Sequence, residues 1–81
     1  MSSIKNQIKE FLARSIRVPA DELADSTPVY ASPIFPSLTV LELLDFIERT
    51  FGIDLDPADL SERNFATIAL IAEIVEQKLD A

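Results

Sequence analysis

The chain has 81 residues, enough for one core that removes about 60–65% of the unfolded surface from water and too few for a second. Apolar residues make up 48% and charged residues 26%, the make-up of a folded globular domain, which argues against wholesale disorder. The formal charge of −7 is uneven: Lys5, Lys9, Arg14 and Arg17 against Glu10 leave residues 1–20 at +3, whereas three bases against thirteen acids leave residues 21–81 at −10, a balance that repels nucleic acid and favours basic protein surfaces, or serves solubility alone.

Between Ser3 and Arg17, Ile4, Ile8, Phe11, Leu12 and Ser15 recur at helical spacing while Lys5, Lys9, Glu10 and Arg14 take the other faces. This predicts a first helix ended by Val18-Pro19. From Pro19 to Pro36 the four prolines Pro19, Pro28, Pro33 and Pro36 remove amide donors and turn each preceding residue away from helix, so the stretch is predicted to be mostly loop, with room for one turn at Pro19–Leu23. Loops this long in small domains are more often functional than accidental, and Tyr30, Ile34 and Phe35 are expected to pin it to the core. Ser37 follows as the predicted N-cap of a second helix over about Leu38–Phe51, whose buried stripe is Val40, Leu43, Leu44, Ile47 and Phe51 and whose end is marked by Gly52. An extended Ile53-Asp54-Leu55, a short helical turn from Pro57 through Leu60 and a link over 61–65 come next. Thr67 is the expected N-cap of the last helix, with Ile68, Ile71, Ala72, Val75 and Leu79 inward. Gly52 is the only glycine, so tight hairpins are absent and the fold class is all-α, in a single domain over 1–81.

The chemistry available is narrow. There is no cysteine and no histidine, which removes thiolate chemistry, the commonest metal ligands and the commonest general base. An EF-hand loop beginning at Asp54 fails, because Ala58, Asp59 and Phe65 stand where a ligand, a glycine and a glutamate are needed. No metal site and no self-sufficient enzyme are expected. The N-terminus has no signal-type apolar stretch and no apolar run nears the ~18 residues of a membrane span, so a cytoplasmic protein free of membrane is expected. The outer face of the second helix is unusual: Leu38 and Leu41 lie there beside Glu42, Asp45 and Arg49, an apolar pair ringed by acids that suits a basic partner, unless the Tyr30–Phe35 loop covers them. Ser37 reads both as a helix cap and as a hydroxyl placed to carry a phosphate in the favourable field of a helix start, with activation supplied by another enzyme.

The segment Ser37-Leu-Thr-Val-Leu-Glu-Leu-Leu-Asp-Phe-Ile-Glu-Arg-Thr-Phe-Gly-Ile-Asp-Leu resembles the second helix and following turn of acyl and peptidyl carrier proteins. Val18-Pro-Ala-Asp-Glu-Leu is similar to the end of that family's first helix, and Asn64-Phe-Ala-Thr-Ile-Ala-Leu-Ile-Ala-Glu-Ile-Val to its last, particularly in stand-alone carriers. The resemblance implies a monomeric four-helix bundle of three main helices and one short one. It implies that a phosphopantetheinyl transferase moves 4′-phosphopantetheine from coenzyme A to Ser37, and that the arm's thiol holds acyl or aminoacyl intermediates as thioesters. It further implies that Leu38, Leu41, Glu42, Asp45 and Glu48 meet the basic docking surfaces of loading and transfer enzymes. Where relatives read Gly-Leu-Val/Phe-Asp-Ser-Leu, this chain reads Pro33-Ile34-Phe35-Pro36-Ser37-Leu38, with proline for both the glycine and the motif aspartate. That departure gives the alternative reading its footing: a carrier-like interaction or regulatory module that is not phosphopantetheinylated.

Overall fold

The computed structural model describes residues 3–30, 32–56, 59, 61 and 63–80. Three helices carry the architecture: α1 (Ile4–Ile16), α2 (Ser37–Phe51) and α3 (Ile68–Asp80). A single 3-10 turn at Ala20–Glu22 follows α1, where one turn was expected. No strand occurs among the described residues; there is one isolated antiparallel bridge, between Pro28 and Thr67. The short helix expected over Pro57–Leu60 lies outside the described residues.

Each helix has a local reason to start and stop. Ser3 caps α1, its Oγ accepting from the amide of Asn6 at 3.1 Å, and Arg17 ends it in the left-handed region at φ 60°, a conformation that is strained for a side chain of this size. Gly52 ends α2 at φ 67°, where the absence of a Cβ makes the same conformation free of strain. α3 opens under Thr67, whose Oγ1 accepts from the amide of Leu70 at 3.2 Å. Its first two amides are met from another part of the chain, Ile68 N–H by the carbonyl of Thr27 and Ala69 N–H by that of Asp25. Every early donor of α3 therefore has an acceptor, as a buried helix start requires.

The core follows the predicted stripes. Ile8 and Leu12 of α1, Leu43 and Ile47 of α2, and Ile68, Ile71 and Val75 of α3 are wholly shielded, with Val29 and Phe65 from the connecting segments. Three expectations need correction. Ser15, placed on the apolar line of α1, is exposed and donates instead to the carbonyl of Phe11. Leu79, placed inward by its spacing, is 47% exposed in the last turn of α3. In the long loop, Phe35 is buried as expected, but Tyr30 and Ile34 lie outward and Val29 takes the inward place. Backbone pairing explains the exchange: Val29 N–H donates to Ala66 and Tyr30 N–H to Phe65, and this extended pairing turns alternate side chains to opposite faces.

Ion pairs fasten the connections to the helices. Asp25 lies between Lys9 at 2.7 Å and Lys5 at 3.1 Å, tying the loop to α1. Hydrogen bonds first from Lys9 and then from Lys5 hold the Asp25 carboxyl below the usual carboxylate range. Lys78 reaches Asp59 at 2.7 Å and Asp56 at 3.4 Å, tying the segment after α2 to the end of α3. Asp59 is held below the ordinary carboxylate range by Lys78 foremost, and Lys78 is raised by Asp59 in return.

Candidate functional site

The site is built around the first turn of α2, and its chemistry begins with Pro36. With φ −60° and ψ 157°, Pro36 occupies the capping position and its carbonyl accepts from Val40 N–H at 3.2 Å. Ser37 is therefore the first helical residue and not the N-cap expected from sequence: its Oγ accepts nothing from the first turn. The physical reason is that proline already has the fixed φ of an extended cap residue, yet has no side-chain acceptor to offer. The amides of Ser37, Leu38 and Thr39 have no acceptor among the described residues, in contrast to the closed start of α3. Ser37 is exposed. The result is a free hydroxyl beside three free donors at the positive end of a helix dipole.

The outer face of α2 is uncovered. Leu38 is 67% exposed and Leu41 61% exposed, so the Tyr30–Phe35 loop covers neither. Glu42 and Asp45 share this face; Asp45 is paired one turn on with Arg49 at 3.2 Å, an exposed pair that holds little energy. Glu48 behaves differently from the other acids. It is half-buried, and its Oε2 accepts from the amide of Leu55 at 2.9 Å, fixing the segment that leaves α2. Sequence reasoning also missed the floor on the α1 side, where Phe11 stacks on Phe46 with ring centroids 4.6 Å apart. Phe11 belongs to the apolar line of α1, but Phe46 lies off the buried stripe of α2, so no local pattern pairs the two.

On the other flank, a groove of about 870 Å³ runs from Ser37 between the loop and α2. Phe35 and Pro36 wall one side, and Val40, Leu41 and Leu44 the other. Ser32 is buried at its edge, its Oγ already accepting from Ile34 N–H at 3.2 Å, and no carboxylate, lysine or arginine lines the groove among the described residues.

A helical bundle that exposes one hydroxyl at a helix start, with no base in the adjoining groove, suits carrying a group and leaving its chemistry to others. This is the class of the small carrier bundles. The comparison with protein families agrees: the family described as phosphopantetheine attachment site matches residues 6–75, and the chain belongs to it. No curated protein matches the chain. Members of that family bear 4′-phosphopantetheine covalently, are not themselves catalytic, and work with a phosphopantetheinyl transferase and biosynthetic enzymes. The start of α2 fits such a group, since the hydroxyl is accessible and the unpaired amides favour a phosphate ester. No helix among the described residues is long and apolar enough to cross a membrane.

Proposed function

We propose that Ser37 carries the 4′-phosphopantetheine arm and that the chain, acting as one domain, holds acyl or aminoacyl intermediates as thioesters and presents them through α2. The observation that carries this reading is the exposed, unbonded Ser37 hydroxyl at the open N-terminus of a helix in a chain of this family. In the transfer, Ser37 Oγ bonds to the phosphorus next to the pantetheine of coenzyme A. The bond from that phosphorus to the adenosine bisphosphate half breaks, and the hydroxyl proton passes to a base of the transferase, since this chain has no histidine to take it. The first-turn amides then donate to the phosphate oxygens. The arm supplies a thiol for thioester formation.

Leu38, Leu41, Glu42 and Asp45 form the docking face for enzymes with basic surfaces. Glu48 supports it by holding the chain after α2 in place. The alternative, an unmodified interaction module, is favoured by Pro36, which removes the carboxylate expected beside the serine and stiffens the approach to it.

Incubation with coenzyme A and a broad-specificity phosphopantetheinyl transferase, followed by intact-mass measurement, tests the proposal. The chain gains the mass of the arm and Ser37→Ala does not. An unchanged wild-type mass with several transferases, together with partner capture that Ser37→Ala leaves intact, establishes the unmodified module instead.

A further inference from the structure

Packing gives Arg17 no reason to be an arginine. It ends α1 in the left-handed region at φ 60°, the conformation that Gly52 takes without strain at the end of α2. Its side chain is exposed and has no ion pair among the described residues. Arg14, one turn earlier, is also exposed and unpaired, although Glu10 stands four residues before it at a favourable spacing. The helix dipole accounts for a base at Arg14 in the last turn of α1. It gives no reason for arginine over glycine at the strained position. Lys5, Lys9, Arg49 and Lys78, by contrast, each meet a carboxylate. The basic turn also borders the uncovered face of α2. Arg14 follows Phe11 at i+3 and so lies on its side of α1, with Arg17 one step further at the helix end. Phe11 in turn stacks on Phe46 and lines a shallow groove with Leu41, Glu42 and Asp45. A surface laid on that face meets acids on α2 and bases at the end of α1.

We propose that Arg14 and Arg17 are a second, oppositely charged contact for the enzyme that docks on α2, and that the phosphopantetheinyl transferase serving this chain presents carboxylates there, beside the bases that meet Glu42 and Asp45. The proposal rests on the carrier reading above. A guanidinium fork matches a carboxylate in paired hydrogen bonds, a geometry that selects as well as attracts. Pro36 leaves no carboxylate next to Ser37 in sequence for a basic group to hold, which gives a contact at the end of α1 more weight in telling this chain from other carriers. An anionic membrane or a second copy is the wrong occupant, since each meets the whole chain's charge of −7, whereas an enzyme surface sets carboxylates locally among bases.

The test follows loading of the full chain from coenzyme A by the transferase of its native host, at low and at high salt. Reversing both charges, Arg14→Glu with Arg17→Glu, is expected to raise KM about tenfold at unchanged kcat, a difference that narrows in high salt. Arg17→Gly relieves the backbone, so it raises the unfolding temperature while still raising KM about threefold; a merely structural arginine gives the first effect without the second. Arg17→Lys, treated with a carbodiimide in the presence of the transferase, forms an amide between position 17 and a carboxylate of that enzyme, located by peptide mass. An unchanged KM in the double variant, an Arg17→Gly chain that loads like wild type, or no link at position 17 overturns the proposal and leaves the carrier reading standing. So does wild-type binding to phosphatidylglycerol vesicles, or self-association, that the double variant loses while its loading is unaltered. A wild-type chain that the transferase does not load overturns both.

Discussion

Ser37 and Thr67 send the same signal in sequence, a hydroxyl just ahead of a strong helical period, yet only Thr67 caps its helix. The difference is the residue before: Pro36 takes the capping position and displaces Ser37 into the helix. Thr67→Ala is thus expected to lower stability by about 1 kcal/mol in denaturant unfolding, while Ser37→Ala stays within about 0.5 kcal/mol of wild type. A loss of ~1 kcal/mol in Ser37→Ala means the hydroxyl caps α2 after all. The carboxylates tied to lysines set the acid response. Asp25 and Asp59 have lowered pKa values in the folded chain, so the unfolded chain binds protons first as pH falls. Their stabilisation is complete at neutral pH and is lost progressively below about pH 4. Lys78 has the opposite sign: its pKa is raised, so its contribution is complete at neutral pH and is lost above about pH 10.4. Asp25→Asn measured from pH 6 down to pH 2 should flatten the acid limb; an unaltered limb removes this assignment. None of these pairs was legible in the sequence, because Lys5, Lys9 and Asp25 meet only once the loop has folded back on α1.

At the scale of elements, the three main helices and their inward stripes were legible because a period near 3.6 is a local property of the chain. The loop over 19–36 was legible only as an absence of helix. Its order comes from pairing with residues 65–69, a long-range contact that no local pattern encodes, and that pairing reverses which of Val29 and Tyr30 faces the core. The same contact closes the start of α3, whereas the start of α2, capped by Pro36, stays open. The outer face of α2 was legible because exposed leucines conflict with the bury-the-apolar rule. Glu48 was not, since its acceptor role needs Leu55 to come back beneath it. If α2 is the docking element, Glu42→Lys should raise a transferase's KM for the chain about tenfold with kcat little changed, corresponding to roughly 1.4 kcal/mol of lost encounter and contact. A fall in kcat at constant KM puts Glu42 in the chemical step and not in docking.

The whole molecule has a Cα radius of gyration of 11.6 Å, close to the ~11.7 Å of a compact chain of this length. Within it, Lys5, Lys9, Lys78 and Arg49 are engaged with carboxylates, so the exposed acids of α2 face outward from a molecule whose net field is negative. Such a field draws basic partners and weakens with salt. The molecule thus divides by element: all three helices contribute to the core, the proline loop walls a groove, and α2 also exposes a hydroxyl at one end and an uncovered face with Leu38 and Leu41 along its side. Everything functional in that arrangement depends on whether Ser37 bears the arm. Intact-mass measurement of the chain purified from its native host, with fragmentation to locate any added group, reads this directly. The account predicts the phosphopantetheine mass on Ser37, with or without cargo. An unmodified chain, or the arm on another residue, contradicts it.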